Sequence, residues 1–252
     1  MTSIHLMGGG NLLETAPIVF EPFLKDTLKS PTVALVVLDE GDGIGRYERF
    51  AEAVRSVGPC ETVPILIQNG GVLPPSIISG LNPDALLVCG GSTPGYANML
   101  HESAAAIRLW LSREYKVYGG YSAGAVIASE FAILGGHIHN GTIVCPAAAA
   151  EDLATVAIKS GLGLVPWTLE PHGAAWGTIG RLIALVGDGT VPSPGLCIDE
   201  DTTLSIGNDG LRVHGLGCVH IVARIHQGVS VTSLPNGSRL TRTLEPRPGC
   251  DR

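Results

Sequence analysis

Short, almost uninterrupted runs of Val, Leu and Ile recur through the first half of the chain. A strand that is covered on both faces has such a continuous apolar pattern, whereas a half-exposed strand alternates apolar and polar residues. The runs therefore predict buried parallel strands. They read SIHLM (3–7), TVALVVLD (32–39), VPILI (63–67), ALLVCGG (85–91) and KVYGGYS (116–122).

Helical patterns lie between these runs. Residues 45–57 place Tyr47, Phe50 and Val54 on one face, and residues 97–114 have a similar apolar face. Strands that alternate with helices indicate βαβ units and an open parallel sheet. We therefore predict one three-layer α/β/α domain over residues 1–252, with roughly the last ten residues as a loose tail.

The last part of the chain has a different pattern. After about residue 195, the segments GLCIDEDTTLSIG, GLRVHGLGCVHIVA and VSVTSLP alternate apolar and polar residues and are separated by turn signals. This alternation is typical of antiparallel strands with one exposed face. We expect these strands at the edge of the sheet and at its C-terminal end.

Composition excludes two classes of partner. The formal net charge is −7, and Lys and Arg form no cluster of the kind that binds nucleic acid or an anionic membrane. No apolar run reaches the roughly 18 residues that a membrane-spanning helix needs. The N-terminus lacks the pattern of a secretory signal, and the six cysteines show neither CxxC spacing nor a disulfide framework. We therefore expect a cytoplasmic protein.

The sharpest local motif is Gly120-Tyr121-Ser122-Ala123-Gly124, which follows a predicted strand and precedes a helical run. A serine between small residues at a strand-to-helix turn is typical of a nucleophile elbow. The turn lifts the hydroxyl above the sheet, where backbone N–H groups face the negative charge of a reacting carbonyl. The alternative is a serine that only caps the helix. The strand–turn–helix context favours the nucleophile.

A serine nucleophile needs a base, and the base needs an acid to orient it. Among the eight histidines, His172 is the best candidate, because Pro171 and Gly173 indicate an exposed loop; His137 and His139 are second. For the acid, three carboxylates at residues 199–201 interrupt an apolar segment, where an imidazole would compensate the cost of burial. A solvated turn at the sheet edge is the alternative.

Four sequence blocks, taken in order, resemble the peptidase E and cyanophycinase family of serine peptidases. The similarity runs from about Ile4 to Val222 and implies the flavodoxin-like, mostly parallel sheet of class I glutamine amidotransferases, with serine in place of cysteine at the elbow. No cofactor is implied. The blocks are LLVCGGSTPGYANML, GGYSAGAVIAS, EPHG…GRL and GLCIDEDTTL.

The resemblance also implies roles for particular residues. Ser122 matches the nucleophile, His172 the general base and Glu200 the acid, although Asp199 stays open as the alternative acid. Gly91 and Ala123 match the residues whose N–H groups form the oxyanion hole. The expected substrate is a small peptide or amide, with an aspartyl dipeptide or a β-aspartyl linkage among the candidates.

Two departures from the family pattern affect substrate choice. No carboxylate occupies residues 136–139, which favours Glu200 as the acid, and Arg181 is the single arginine that remains in the stretch after His172. Arg181 could contact a substrate carboxylate or have a structural role. The other residues expected to line the substrate pocket are Ser92, Thr93, Tyr96 and Tyr121.

Other interpretations stay open at this point. An α/β-hydrolase-type esterase has a similar elbow, but its acid precedes its histidine, which is the reverse order. GGGNL and GDGIG are incomplete phosphate-loop motifs. A binding module that has lost its chemistry, or a metal site at His137 and His139, is less well supported. The acyl group, the leaving group and assembly as a homodimer also stay open.

Overall fold

The computed structural model describes residues 2–240 and residue 244. Its strands are β1 (Ser3–Met7), β2 (Thr32–Asp39), β3 (Glu61–Gln68), β4 (Ala85–Val88), β5 (Val117–Tyr121), β6 (Phe131–Gly135), β7 (Ile138–His139), β8 (Thr142–Ile143), β9 (Ala157–Ser160), β10 (Leu169–Pro171), β11 (Gly195–Ile198), β12 (Thr202–Gly207), β13 (Gly210–Gly215), β14 (Cys218–Arg224), β15 (Val229–Pro235) and β16 (Arg239–Leu240). Its α-helices are α1 (Ala16–Val19), α2 (Glu21–Lys25), α3 (Gly43–Val57), α4 (Pro75–Leu81), α5 (Thr93–Leu100), α6 (Ala104–Leu111), α7 (Ala123–Ala128), α8 (Gly173–Trp176) and α9 (Ile179–Asp188).

The main sheet has eight strands in the order β3-β2-β4-β5-β1-β12-β13-β16. The pairs from β3 to β1 are parallel, and those from β1 to β16 are antiparallel. Both the parallel strands predicted from the apolar runs and the antiparallel edge predicted near the C-terminus are therefore confirmed. The tail predicted at residues 243–252 lies outside the described residues except for Leu244.

Strand β2 shows how the sheet is covered on both faces. Val33, Leu35 and Val37 pack with residues of α1, α2 and α3, whereas the alternate residues of the strand pack with α4, α5, α6 and α7. Because successive side chains of a strand point to opposite faces, an apolar run of this length requires a cover on each side. The result is the expected three-layer α/β/α arrangement.

The strands after residue 195 divide between two sheets, a division that the sequence did not predict. A second sheet has the order β10-β11-β14-β15, while β12, β13 and β16 extend the main sheet. The segment GLCIDEDTTLSIG is therefore two strands, β11 and β12, with the acidic residues 199–201 in the turn between them. Asp201 has φ of 54°, so the chain reverses there without a glycine.

The helix predicted over residues 97–114 is interrupted. Helix α5 ends at Leu100, a single 3₁₀ turn covers His101–Ser103, and α6 then begins at Ala104. The Ser103 hydroxyl is buried and donates to the Leu73 carbonyl at 2.5 Å, which holds the chain in the 3₁₀ turn. Across the residues that the structure describes, no helix is long and apolar enough to cross a membrane.

Candidate active site

Ser122 lies on the turn between β5 and α7, with φ of 52° and ψ of −110°. Few non-glycine residues adopt a positive φ, and when they do it is often at functional sites. Neighbouring glycines allow the turn, because a Cβ on Gly120 would collide with the Gly124 carbonyl and a Cβ on Gly124 with the Val88 carbonyl. The strand–turn–helix context predicted for Ser122 is therefore present.

Three loops meet at the carboxyl edge of the parallel strands beside Ser122. Strand β5 pairs with β1 on one side and with β4 on the other, so residues 8–10 and 90–93 follow neighbouring strands. A Cβ built on Gly90 would lie 3.4 Å from the Cβ of Ser122. This edge is where open α/β sheets bind their ligands.

His172 bridges Ser122 and Glu200. Its Nε2 lies 2.8 Å from the Ser122 Oγ, and its Nδ1 lies 2.7 Å from the Oε1 of Glu200. The backbone of His172 has φ of 59°, and its N–H donates to the Gly8 carbonyl at 3.1 Å. The ring stacks on Trp176, with the centroids 4.1 Å apart. These contacts fix the imidazole between a hydroxyl and a carboxylate.

The surroundings of His172 favour its neutral form. Burial lowers the pKa of His172 below its usual value, and the hydrogen bond and negative charge of Glu200 oppose that effect. A neutral imidazole that donates its Nδ1–H to Glu200 has a free lone pair on Nε2. That nitrogen can therefore accept the proton of the Ser122 hydroxyl.

Each of the three acidic residues in the turn before β12 has its own partners. Asp199 accepts from the N–H groups of Ala174 at 2.9 Å and Cys218 at 3.0 Å, and it contacts His220 at 3.1 Å. Asp201 accepts from the N–H of residue 11 and from the hydroxyl of residue 15. Glu200 is the acid that contacts His172, so the geometry favours it over Asp199.

The peptide between Gly90 and Gly91 has a defined orientation. The Gly90 carbonyl accepts from the Tyr96 hydroxyl at 3.4 Å and from Arg46 Nη1 at 3.5 Å. In a trans peptide the N–H points away from the carbonyl, so the N–H of Gly91 points away from these donors. Within the described chain, neither this N–H nor that of Ala123 has a protein acceptor. Both can therefore donate to an external oxygen.

A cleft of about 890 Å³ opens above Ser122. Ser92, Thr93 and Tyr121 are among the residues that line it, and the Tyr121 hydroxyl donates to the Gly10 carbonyl at 2.9 Å. Tyr96 was expected in the same wall, but its side chain is fully buried beneath the loop. Among the described residues its hydroxyl bonds only main-chain groups, so Tyr96 supports the loop and does not face the cleft.

Comparisons with known proteins agree with this architecture. A peptidase from an acI-B1 Actinobacterium has a TM-score of 0.65 and 18% identity over 95% of this chain and 96% of its own. A protein provisionally called Peptidase E, from Listeria monocytogenes EGD-e, has a TM-score of 0.58 and 19% identity over 86% of this chain and 99% of its own.

The chain has the fold of these two proteins. The fold implied by the resemblance to the peptidase E and cyanophycinase family is thus confirmed. No protein-family model matches the sequence, and no curated protein matches it.

Arg181 is buried and its donors are directed at groups of the protein. Its Nε and Nη2 contact the two carboxylate oxygens of Glu170 at 2.6 and 3.0 Å, and its Nη1 donates to the carbonyls of Gly136 at 2.7 Å and Ala149 at 2.9 Å. Arg181 is 4% exposed and Glu170 is 1% exposed. Of the two roles that the sequence left open, this geometry favours the structural one.

Replacement of Arg181 by methionine should therefore destabilise the protein. Removing one partner of a buried ion pair costs about 3–5 kcal/mol, because the other charge is left uncompensated. For a chain of this size that loss lowers the melting temperature by about 10 °C. Thermal denaturation of Arg181→Met measures it, and Arg113→Met, at an exposed arginine that donates to Asn82, is the control. An unchanged melting temperature with a raised KM for acidic substrates alone would instead assign Arg181 to substrate binding.

His137 and His139 lie in and beside the hairpin of β7 and β8 and are not among the residues that line the cleft above Ser122. His139 Nε2 is 2.6 Å from a carboxylate oxygen of Asp188 near the end of α9, which ties the hairpin to that helix. Among the described residues, no three His, Cys, Asp or Glu side chains are grouped to hold a metal ion. The pairing with Asp188 favours a structural role for His139.

Sequence reasoning missed two features of the cleft wall. Glu40 and Arg46 form an ion pair at 2.7 Å beside Gly91, and Glu151 accepts from the Thr93 hydroxyl at 2.9 Å. Glu40 directly follows β2, so a charged residue at the carboxyl end of a buried strand was an available signal. Glu151 follows a run of alanines without any motif, and its position depends on how residues 136–150 fold.

Proposed function

We propose that this protein is a serine hydrolase that cleaves a peptide, isopeptide or related amide bond through an acyl-enzyme. The observation that carries the proposal is the hydrogen-bonded chain from Ser122 Oγ through His172 to Glu200, with distances of 2.8 and 2.7 Å. The likeness in fold to two proteins named as peptidases supports an amide or peptide bond as the substrate.

The mechanism follows from the roles of these atoms. The Ser122 oxygen attacks the substrate carbonyl while His172 Nε2 takes its proton, and Glu200 stabilises the imidazolium that forms. The N–H groups of Gly91 and Ala123 donate to the oxyanion of the tetrahedral intermediate. The imidazolium then protonates the leaving amine, and an acyl group remains on Ser122.

Water completes the cycle. His172, neutral again, takes a proton from a water molecule as the water oxygen attacks the acyl carbonyl, and the resulting intermediate is again held by the two N–H groups. Its collapse returns the proton from His172 to Ser122 Oγ and releases a carboxylic acid. The cytoplasmic location and the homodimer remain predictions from the sequence.

Reaction with a fluorophosphonate tests the nucleophile without knowledge of the substrate. The Ser122 oxygen should attack phosphorus, fluoride should leave, and mass spectrometry should find the added group on Ser122. Because His172 must be neutral to accept the proton, the rate should rise with pH and then level off. The midpoint should lie below the usual histidine pKa of 6.5, because burial lowers the pKa of His172.

The same experiment separates the hydrolase from a binding module with the same fold. A module that has lost its chemistry would leave Ser122 unmodified, or would react as slowly as a surface serine. Modification that is as fast in a His172→Ala variant as in the wild type would also contradict the proposal. Screening dipeptides and isopeptides, with α- and β-aspartyl compounds and matching esters included, then identifies the bond that is cleaved.

A further inference from the structure

The arginines that line the cleft, within the described part of the chain, each have a carboxylate partner. The pairs of Arg46 and Arg181 are at least partly buried and leave these two cations little capacity to bind an acidic group of a substrate, whereas the exposed pair of Arg49 restrains its guanidinium only weakly. The pairs are Arg46 with Glu40 at 2.7 Å, Arg49 with Asp42 at 3.2 Å and Arg181 with Glu170 at 2.6 Å.

Glu151 lines the same cleft without a cationic partner. Its carboxylate accepts from the Thr93 hydroxyl at 2.9 Å, and across the described residues it forms no ion pair with Lys, Arg or His. Asp152, which follows it, also lines the cleft without an ion pair there. The carboxylates that lack a cation thus face the space where a substrate would bind.

The segment that carries Glu151 is fixed in place. Glu151 and Asp152 have φ of 53° and 58°. Residues other than glycine adopt this backbone conformation only when the surrounding structure holds it. Arg181 donates to the Ala149 carbonyl at 2.9 Å, and the Gly136 N–H donates to the carbonyl of residue 150 at 2.8 Å. The carboxylate is therefore held in a defined position.

Glu151 lies within reach of a substrate that is bound at Ser122. Its partner Thr93 is in the same loop as Gly90, and a Cβ built on Gly90 would lie 3.4 Å from the Cβ of Ser122. Ser122, Thr93 and Glu151 all line the same cleft. A substrate whose carbonyl is at Ser122 can therefore extend along the cleft towards Glu151.

We propose that Glu151 is a specificity-determining residue that binds a positively charged group of the substrate. The substrates are then peptides or amides with an ammonium or guanidinium group close to the scissile bond. The inference rests on the proposed function, and it differs from the aspartyl preference that the family resemblance implies. The Glu151 carboxylate would repel an acidic group of a substrate and attract a cationic one.

The environment of Glu151 is consistent with a missing cation. Burial raises the pKa of Glu151 and the negative charge of Glu40 adds to the rise, whereas the hydrogen bonds from Thr93 and the positive charge of Arg181, which already pairs with Glu170, oppose it. A carboxylate that is partly removed from water gains more from an ion pair than an exposed one does. A bound ammonium group would stabilise the ionised form.

The test compares substrates that differ only in charge. Three peptides carry norleucine, lysine or glutamate in the acyl residue, and a second set carries them in the leaving residue. The wild type should prefer lysine in one set, and in Glu151→Gln the lysine-to-norleucine ratio of kcat/KM should fall by at least about tenfold, since hydrogen bonds to charged groups are strong. Glu130→Gln, which changes the same charge at an exposed residue outside the cleft, should leave the ratio unaltered.

The possible outcomes separate the inference from the proposed function. A wild-type preference for glutamate, or an unaltered ratio in Glu151→Gln, overturns the inference while the hydrolase remains. An equal loss for all three substrates, together with a lower melting temperature, shows a structural role and also overturns it. In Glu151→Asp the preference for lysine should be partly retained. If the wild type cleaves no peptide and Ser122 does not react, both proposals fail.

Discussion

Replacement of Ser122 by alanine is expected to reduce amide hydrolysis about a million-fold, because loss of the nucleophile removes the covalent route altogether. The fold should be unaffected. The Ser122 hydroxyl bonds only His172 among the described residues, and alanine keeps the Cβ that the turn already accommodates. Single-turnover kinetics with an excess of enzyme measures the loss, and circular dichroism compares the melting temperatures.

Ser129→Ala is a matched control at the other end of helix α7. The Ser129 hydroxyl is buried and has no hydrogen-bond partner among the described residues, so its removal leaves no other group unsatisfied. This variant should retain wild-type turnover. A Ser122→Ala variant that keeps more than about a tenth of the wild-type kcat would contradict the serine mechanism, given the million-fold expectation.

Replacement of Glu200 by glutamine is expected to reduce kcat about ten-thousand-fold, the loss seen when the carboxylate of such a triad becomes an amide. The amide no longer stabilises the imidazolium, and its NH₂ group can hold His172 in the tautomer that cannot accept the serine proton. Steady-state kinetics over a range of pH measures the effect, since the loss should persist where the imidazole is neutral.

Asp199→Asn and Asp201→Asn are the controls for this prediction. Asp199 holds the N–H groups of Ala174 and Cys218, and Asp201 holds the loop that follows β1. Their substitution should lower the melting temperature. It should change kcat per folded molecule much less than Glu200→Gln does, because neither carboxylate contacts His172. If Asp199→Asn has the larger effect on kcat, the assignment of Glu200 as the acid is wrong.

The parallel half of the fold follows directly from the sequence. Strands β1 and β2 begin and end at the residues predicted, because a continuous apolar run can be buried only between two layers. Ser122 was identified by its glycine neighbours and His172 by the Pro and Gly beside it, although the exposed loop that they predicted is wrong, because His172 is buried at 7% exposure. Both signals are local, and the geometry brings these two residues within hydrogen-bond distance.

The other features depend on contacts between distant residues. The turn between β11 and β12 contains no Gly or Pro, so the alternating pattern did not reveal that two sheets meet there. Arg181 and Glu170 are 11 residues apart, and neither residue shows in sequence that it is buried. Tyr96 has a hydroxyl suited to a pocket wall. Its hydrogen-bond partners, however, are main-chain groups of β2 and of the loop at Gly90, and their positions depend on how the sheet folds.

The order of the site along the chain has a consequence for biosynthesis. His172 follows Ser122 by 50 residues, and Glu200 follows His172 by another 28. A ribosome delivers residues in chain order, so a nascent chain that ends before residue 200 already contains strands β1 to β5 and the serine turn, but it lacks the acid. Strand β12, the antiparallel neighbour of β1, is synthesised later still. Under the proposed mechanism the catalytic site is thus incomplete, and the nascent chain inactive, until residue 200 has been synthesised and β12 has paired with β1.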